Sequence, residues 1–245
     1  MTALLAAELL KLRTTRTVFG ILGALLAIVA IATVVSILAT DKRELQADTE
    51  GLFASPLSGI VFVLLLGVML MAGEFRHGTI TQTLLVTPNR WRVLVAKIVA
   101  AALLGLAFAV ISELFAFVLG APLLEAKGVD FTFNDEAEQL VVGTLGAMAI
   151  AGPLGVAFGS LVRNQVAAIV IVFAWLLILE PAVGAALDEN AKFLPGSAIA
   201  AIVGGEDGDL LSWRGGVAVA LAYVAVLAAV GGRFVLSRDV NSIQS

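Results

Sequence analysis

Glu113 and Glu180 are the residues with most capacity for chemistry, because each carboxylate stands inside a run of otherwise apolar residues. A charge at mid-bilayer costs at least about 2.5 to 3.5 kcal/mol on insertion scales, so an acid kept there needs a partner, a water path or a proton. Pro181 follows Glu180, removes one backbone donor and frees the carbonyl of Leu177, a combination that favours a pore-facing kink. Counted at about 1.5 Å per residue from the start of its span, Glu180 is expected about 21 Å deep, within the core. Glu113 is expected about 30 Å deep, near the opposite interface, where water would solvate it. Glu180, Pro181 and Glu113 are therefore the candidate lining of a translocation path. Two alternatives stand for Glu180: Pro181 ends or tilts the helix early and leaves the acid at the outer mouth, or the acid is protonated and hydrogen-bonded within the bundle.

Other chemistries find no support. The sequence has no cysteine and one histidine, His77, too few for a thiolate or transition-metal site. It lacks the Gly-x-x-x-x-Gly-Lys-Ser/Thr phosphate loop, so nucleotide hydrolysis is not expected on this chain. No catalytic set is evident, and nothing points to a nucleic-acid partner.

The elements that must position these residues are membrane spans. Of 245 residues, 60% are hydrophobic and 14% charged, and the mean hydropathy is +1.04, values foreign to a water-soluble domain. Apolar runs long enough for a core of about 30 Å occupy 18–39, 54–73, 93–119, 140–162, 166–187 and 215–236. Before them, residues 1–17 place Leu5, Leu9 and Leu12 at helical spacing with Glu8, Lys11 and Thr15 on another face, the pattern of a helix lying in the interface. The same mixture argues against a cleavable signal peptide, so the amino terminus is expected to be retained. Residues 193–205, between Leu194-Pro195-Gly196 and Gly204-Gly205, are apolar but too short to cross, and read as a re-entrant or interfacial segment. The fold class is all-α, and the chain, 1–245, reads as one transmembrane domain in the lipid bilayer.

Alternate loops divide the basic residues unevenly. Ten of the fifteen Lys and Arg fall on the side holding both termini, among them Lys11, Arg76, Arg90, Arg92, Lys97 and Arg163, and five fall on the other. Positive charge marks the cytoplasm, so both ends are expected there, in a multi-pass protein of the plasma membrane. Trp91 and Trp213 sit beside span ends, as interfacial belts require, and Trp175 lies within the fifth span. Gly155 and Gly159 form a small-x-x-x-small pair in the fourth span, suited to internal packing or to a dimer seam.

Residues 74–92 form the most informative loop. Gly78 and Pro88 bound a short helix with Ile80, Leu84 and Leu85 as an apolar stripe, and Glu74, Arg76, Arg90 and Arg92 supply a charged rim. Such a ridge either inserts into a groove of a soluble partner or rests on the membrane interface. Glu74-Phe75-Arg76-x-Gly78-Thr79, followed by Leu84-Leu85, Pro88, Arg90 and Lys97, resembles the loop signature of permease subunits of ABC-2 type transporters. The likeness extends to the layout: an interfacial amino-terminal helix, six spans, a coupling helix between spans two and three, and a re-entrant segment before the last span.

The resemblance implies that Glu74, Phe75, Arg76, Gly78, Thr79, Leu84, Leu85, Pro88 and Arg90 contact a separate nucleotide-binding ATPase subunit. ATP and Mg would sit on that partner, with no cofactor on this chain, and the transporter would hold two ATPases and two permeases, either two copies of this chain or one with a sister permease. It further implies export, driven by ATP. An ATP-independent channel or secondary transporter would usually carry more ionisable groups at the midplane, and a non-transporting membrane anchor for an ATPase would use the same loop.

Overall fold

The computed structural model describes residues 1–47, 49–76, 78, 79, 83, 85, 87, 89–130, 133–162, 164–204 and 210–236. Among these, all regular structure is helical: α1 (Thr2–Thr14), α2 (Arg16–Ala39), α3 (Lys42–Ala47), α4 (Ile60–Arg76), α5 (Arg90–Ala126), α6 (Asp135–Gly159), α7 (Gln165–Ala174), α8 (Glu180–Leu187), α9 (Pro195–Val203) and α10 (Trp213–Leu236). A 3₁₀ helix, Glu50–Gly59, leads into α4, a π turn, Trp175–Leu179, joins α7 to α8, and a second 3₁₀ helix, Asp188–Phe193, leads towards α9. Six helical stretches are long and apolar enough to cross a membrane: Arg16–Ala39, Gly51–Arg76, Arg90–Ala126, Asp135–Gly159, Gln165–Phe193 and Trp213–Arg233. Below, the near face is the end of the bundle carrying α1 and Arg233, and the far face is the opposite end.

Helix α6 is the centre. In the most apolar 18-residue window of its span 61% of residues are buried, against 11% in that of the fifth span, so α6 is enclosed by the chain while the fifth span leaves most of its surface outside the packed core. Glycine makes this possible. A Cβ on Gly155 would fall on the carbonyl oxygen of Leu64 in α4, one on Gly67 would fall on that of Gly152, and one on Gly105 in α5 would fall on that of Met148. Without hydrophobic drive between helices in lipid, close backbone contact supplies the attraction. Leu25, Val29, Val68, Met148 and Val156 complete the main core.

The boundaries differ from the expected ones at three places, each for a local reason. The α backbone of the second span begins at Ile60; before it, Pro56 lacks an N–H, and the Ser55 and Ser58 hydroxyls donate to the carbonyls of Leu52 (2.8 Å) and Ser55 (2.6 Å), holding a 3₁₀ winding. The third span runs 37 residues, about 55 Å at 1.5 Å per residue, and so projects beyond the hydrocarbon. The fourth begins at Asp135, where Asn134 accepts from the Ala137 N–H at 2.8 Å and three acids in the first turn complement the helix dipole. At the far face Lys127 Nζ donates to the Thr40 carbonyl at 2.9 Å and to those of Ile37 and Leu38, closing the carbonyl end of α2.

Because Gly155 leaves no room for a side chain, Gly155→Val is expected to cost about 1 to 3 kcal/mol and lower the thermal midpoint in detergent by several degrees. Gly23→Val, at a site where a Cβ meets nothing within 4 Å, should leave that midpoint unchanged.

Candidate functional site

The near face is organised by four charges. Lys97, two turns into α5, is 0% exposed, and its Nζ donates to Glu8 Oε2 of α1 at 2.9 Å and to Glu74 Oε1 of α4 at 2.7 Å. Lys11 closes the circuit, 2.9 Å from both Glu8 Oε1 and Glu74 Oε1. Two acids and two bases thus alternate in a neutral ring that ties α1 to the last turn of α4 and the first turns of α5. Burial pushes the Glu8 carboxyl up, but attraction and hydrogen bonds from Lys97, then Lys11, outweigh it and hold the group below its ordinary value. Burial likewise pushes Lys11 down, and its hydrogen bonds to Glu74 and Glu8 prevail and raise it.

This changes the orientation expected for α1. Leu5, Glu8 and Leu12 face the bundle, with Glu8 and Leu12 buried, while Leu9 and Leu10 are exposed. The reason is Lys97: a wholly buried ammonium needs a counter-ion, which outweighs the preference for turning a second leucine inward. Glu74 likewise does not form a rim; it is 8% exposed, with Oε1 shared between the two lysines and Oε2 buried without a partner among the described residues.

The loop follows directly. Phe75 is half-buried against the main core, and Arg76 is exposed, with Nη1 3.5 Å from Gln165 Oε1 at the start of α7. Gly78 adopts φ +67°, a left-handed conformation that suits glycine, and lies exposed beside exposed Thr79. Thr79, Thr83 and Leu85 have helical backbone; Thr83 Oγ1 donates to the Thr79 carbonyl at 3.2 Å, and Leu85 is 77% exposed. Leu84 and Pro88 lie outside the described residues, as do His77 and Ile80. Asn89 accepts from the Arg92 N–H at 3.2 Å and starts α5, with Arg90 half-buried in its first turn.

In the far half, Pro181 does not end the fifth span. The π turn absorbs it: the Glu180 N–H reaches back five residues to the Trp175 carbonyl, and the helix continues through α8. Residues five apart would be about 140° apart around an α-helix, whereas the wider π winding brings them onto one face. Trp175 Nε1 accordingly donates to Glu180 Oε2 at 2.9 Å. Glu180 Oε1 accepts from the N–H of Gly196, in the first turn of α9, so the carboxylate clasps the fifth span to that helix. Any side chain at position 196 would collide with it. Glu113 is separate and is not solvated as expected: it is 6% exposed and lies buried beside the hydroxyl of Thr144 in α6.

Residues 4–178 match the ABC-2 family transporter protein profile, well over half of the chain and including the whole ring and the loop. The chain belongs to the ABC-2 transporter family. No curated protein matches it. With six helices long and apolar enough to span, it is a multi-pass membrane permease, and a permease of this family is not itself an ATPase.

In this permease Gly155 and Gly159 face α4, against Leu64, Gly67 and Val68, so the pair is used within the chain. Sequence reasoning missed four participants: Glu8, Lys11 and Lys97, counted as surface charges, and Trp175, assigned no partner. The available signal was arithmetic. A basic residue seven positions inside a spanning helix and two acids on the flanking elements have compatible charge.

The ring sets a pH window. A group held below its ordinary value stabilises the fold above that value, 4.5 for Glu8, and the contribution is lost as pH falls through the lowered value; a raised lysine stabilises below 10.5 and loses this as pH rises through the raised value. Protease protection of α1 in detergent is therefore expected to be flat from about pH 5 to 10 and to fall in acid below about 4.5. Glu8→Gln should weaken protection at neutral pH and flatten the acid limb.

Proposed function

We propose that this permease is the membrane half of an ATP-driven exporter in the plasma membrane, with both termini in the cytoplasm and the near face towards its ATPase partners. The observation that carries the reading is the charge ring. Both feet of the loop, Glu74 at the end of α4 and Lys97 at the start of α5, join to each other and to α1 through pairs no longer than 2.9 Å. A push on the loop between them therefore moves three helices together. Closure of two ATPase subunits on ATP and Mg would drive the loop between Glu74 and Arg90, and the ring would pass that displacement into the spans. The lopsided distribution of lysine and arginine supports the orientation. A second permease, either another copy or a sister chain, would complete the assembly.

Exposed Leu85 and the adjoining Arg90 are the contacts to test, because Leu85 lies outside the packed core. The tagged chain, expressed from its own locus and extracted in mild detergent, should copurify with a phosphate-loop ATPase in near-equal amount. Leu85→Asp and Arg90→Ala should each reduce that yield at least tenfold, while Leu85→Asp keeps the thermal midpoint of the permease. A chain that purifies alone and conducts solutes in liposomes without ATP would replace this reading with a channel.

A further inference from the structure

Between the fifth span and the rest of the bundle lies a chamber of about 230 Å³, bounded by α4, α6, α7, α9 and α10. It adjoins a larger cleft of about 470 Å³, with which it shares Leu64, Leu176, Gly196 and Ile199. Its walls are apolar, with Phe158, Trp175 and Tyr223 as aromatic members, and Glu180 is the one charged residue that lines it. Glu180 Oε2 accepts from the Trp175 indole N–H and Oε1 from the Gly196 amide. Both donors are neutral, and among the described ion pairs none includes Glu180. A carboxylate in these apolar walls, bonded only to neutral donors among the described residues, lacks a counter-charge.

We propose that this chamber binds hydrophobic organic cations, with Glu180 as counter-ion, the aromatic rings as cation-attracting walls and the adjoining cleft holding the remainder of the apolar body. Drug-sized ligands occupy apolar pockets of this order that hold a few placed polar groups, and a cation over Trp or Tyr gains from the ring quadrupole. Charge complementarity selects the occupant. An anion would face the carboxylate directly, and a neutral lipid would leave it unpaired. The inference deepens the export reading and rests on it for the idea that the occupant is cargo; binding itself requires no ATPase. The clasp couples occupancy to geometry, because a cation drawing on Glu180 competes with the bonds that hold α9 to the fifth span.

The test uses the full chain in nanodiscs and two ions of nearly equal size, tetraphenylphosphonium and tetraphenylborate, with binding to empty nanodiscs subtracted. Saturable binding of the cation, at least tenfold tighter than that of the anion, is expected, and Glu180→Gln should weaken the cation by about tenfold or more. Ile199→Trp, which fills the chamber and keeps the carboxylate, should also abolish cation binding, and it serves as the second variant if Glu180→Gln fails to fold. Equal affinity for the two ions, wild-type cation affinity in either folded variant, or no saturable binding would overturn the proposal. Cation binding without ATP-driven transport would remove the export reading and leave the site; ATP-driven transport without cation binding would do the reverse.

Discussion

The ammonium of Lys97 is the constraint from which the near half of the molecule follows. With 0% exposure it has no water to solvate it, and an unpaired charge in such a place would deprotonate or prevent the helix from packing. Glu8 and Glu74 answer it from two different elements, and because each acid is itself buried, Lys11 is drawn in to share the load. The result fixes where α1 lies, how the last turn of α4 meets α5, and how far apart the feet of the intervening loop stand. Buried ion pairs are poor sources of net stability compared with packed hydrophobic groups, but breaking one by removing a single partner costs about 3 to 5 kcal/mol. That asymmetry makes the ring a device for alignment: it holds three helices in one relation and penalises departure from it.

The far half follows from a different rule. Small residues draw α4, α5 and α6 so close that backbone meets backbone, and this leaves the fifth span outside the compact centre. It is joined to the bundle by Ala168 and Val172, which are buried in the main core, by the long Arg76 to Gln165 contact, by Tyr223 Oη donating to the Phe193 carbonyl at 3.1 Å, and by the Glu180 clasp onto α9. The two halves therefore differ in what holds them, a charge-locked near face and a flank joined by fewer contacts, and Glu113 and Thr144 lie buried side by side between α5 and α6.

Much of this was legible in the sequence because lipid imposes blunt rules. Six apolar runs of spanning length, a short helix ahead of them and a short apolar segment after the fifth are all consequences of thickness and backbone satisfaction. What escaped was pairwise. Spacing put Leu9 of α1 inward and Glu8 outward, and only the position of Lys97 on another helix reverses that. Proline rules suggested a kink at Pro181, but they are silent on a π turn that keeps the helix running and turns Trp175 and Glu180 to one side. Depth counting placed Glu113 in water, because counting residues along a span says nothing of a neighbour such as α6 that seals it off. The 3₁₀ winding of Glu50–Gly59 depends on Pro56 and on serine hydroxyls bonding locally, a choice between two helical geometries that hydropathy does not distinguish.

Glu8 and Lys97 act as one unit across two helices. A double-mutant cycle with Glu8→Gln and Lys97→Met, read as unfolding free energy in mixed micelles at pH 7, measures that coupling. Each single variant is expected to be strongly destabilised and the pair coupled by about 1 to 3 kcal/mol, the double variant losing well under the sum of the two. Additive losses, or singles as stable as the unaltered chain, would contradict it.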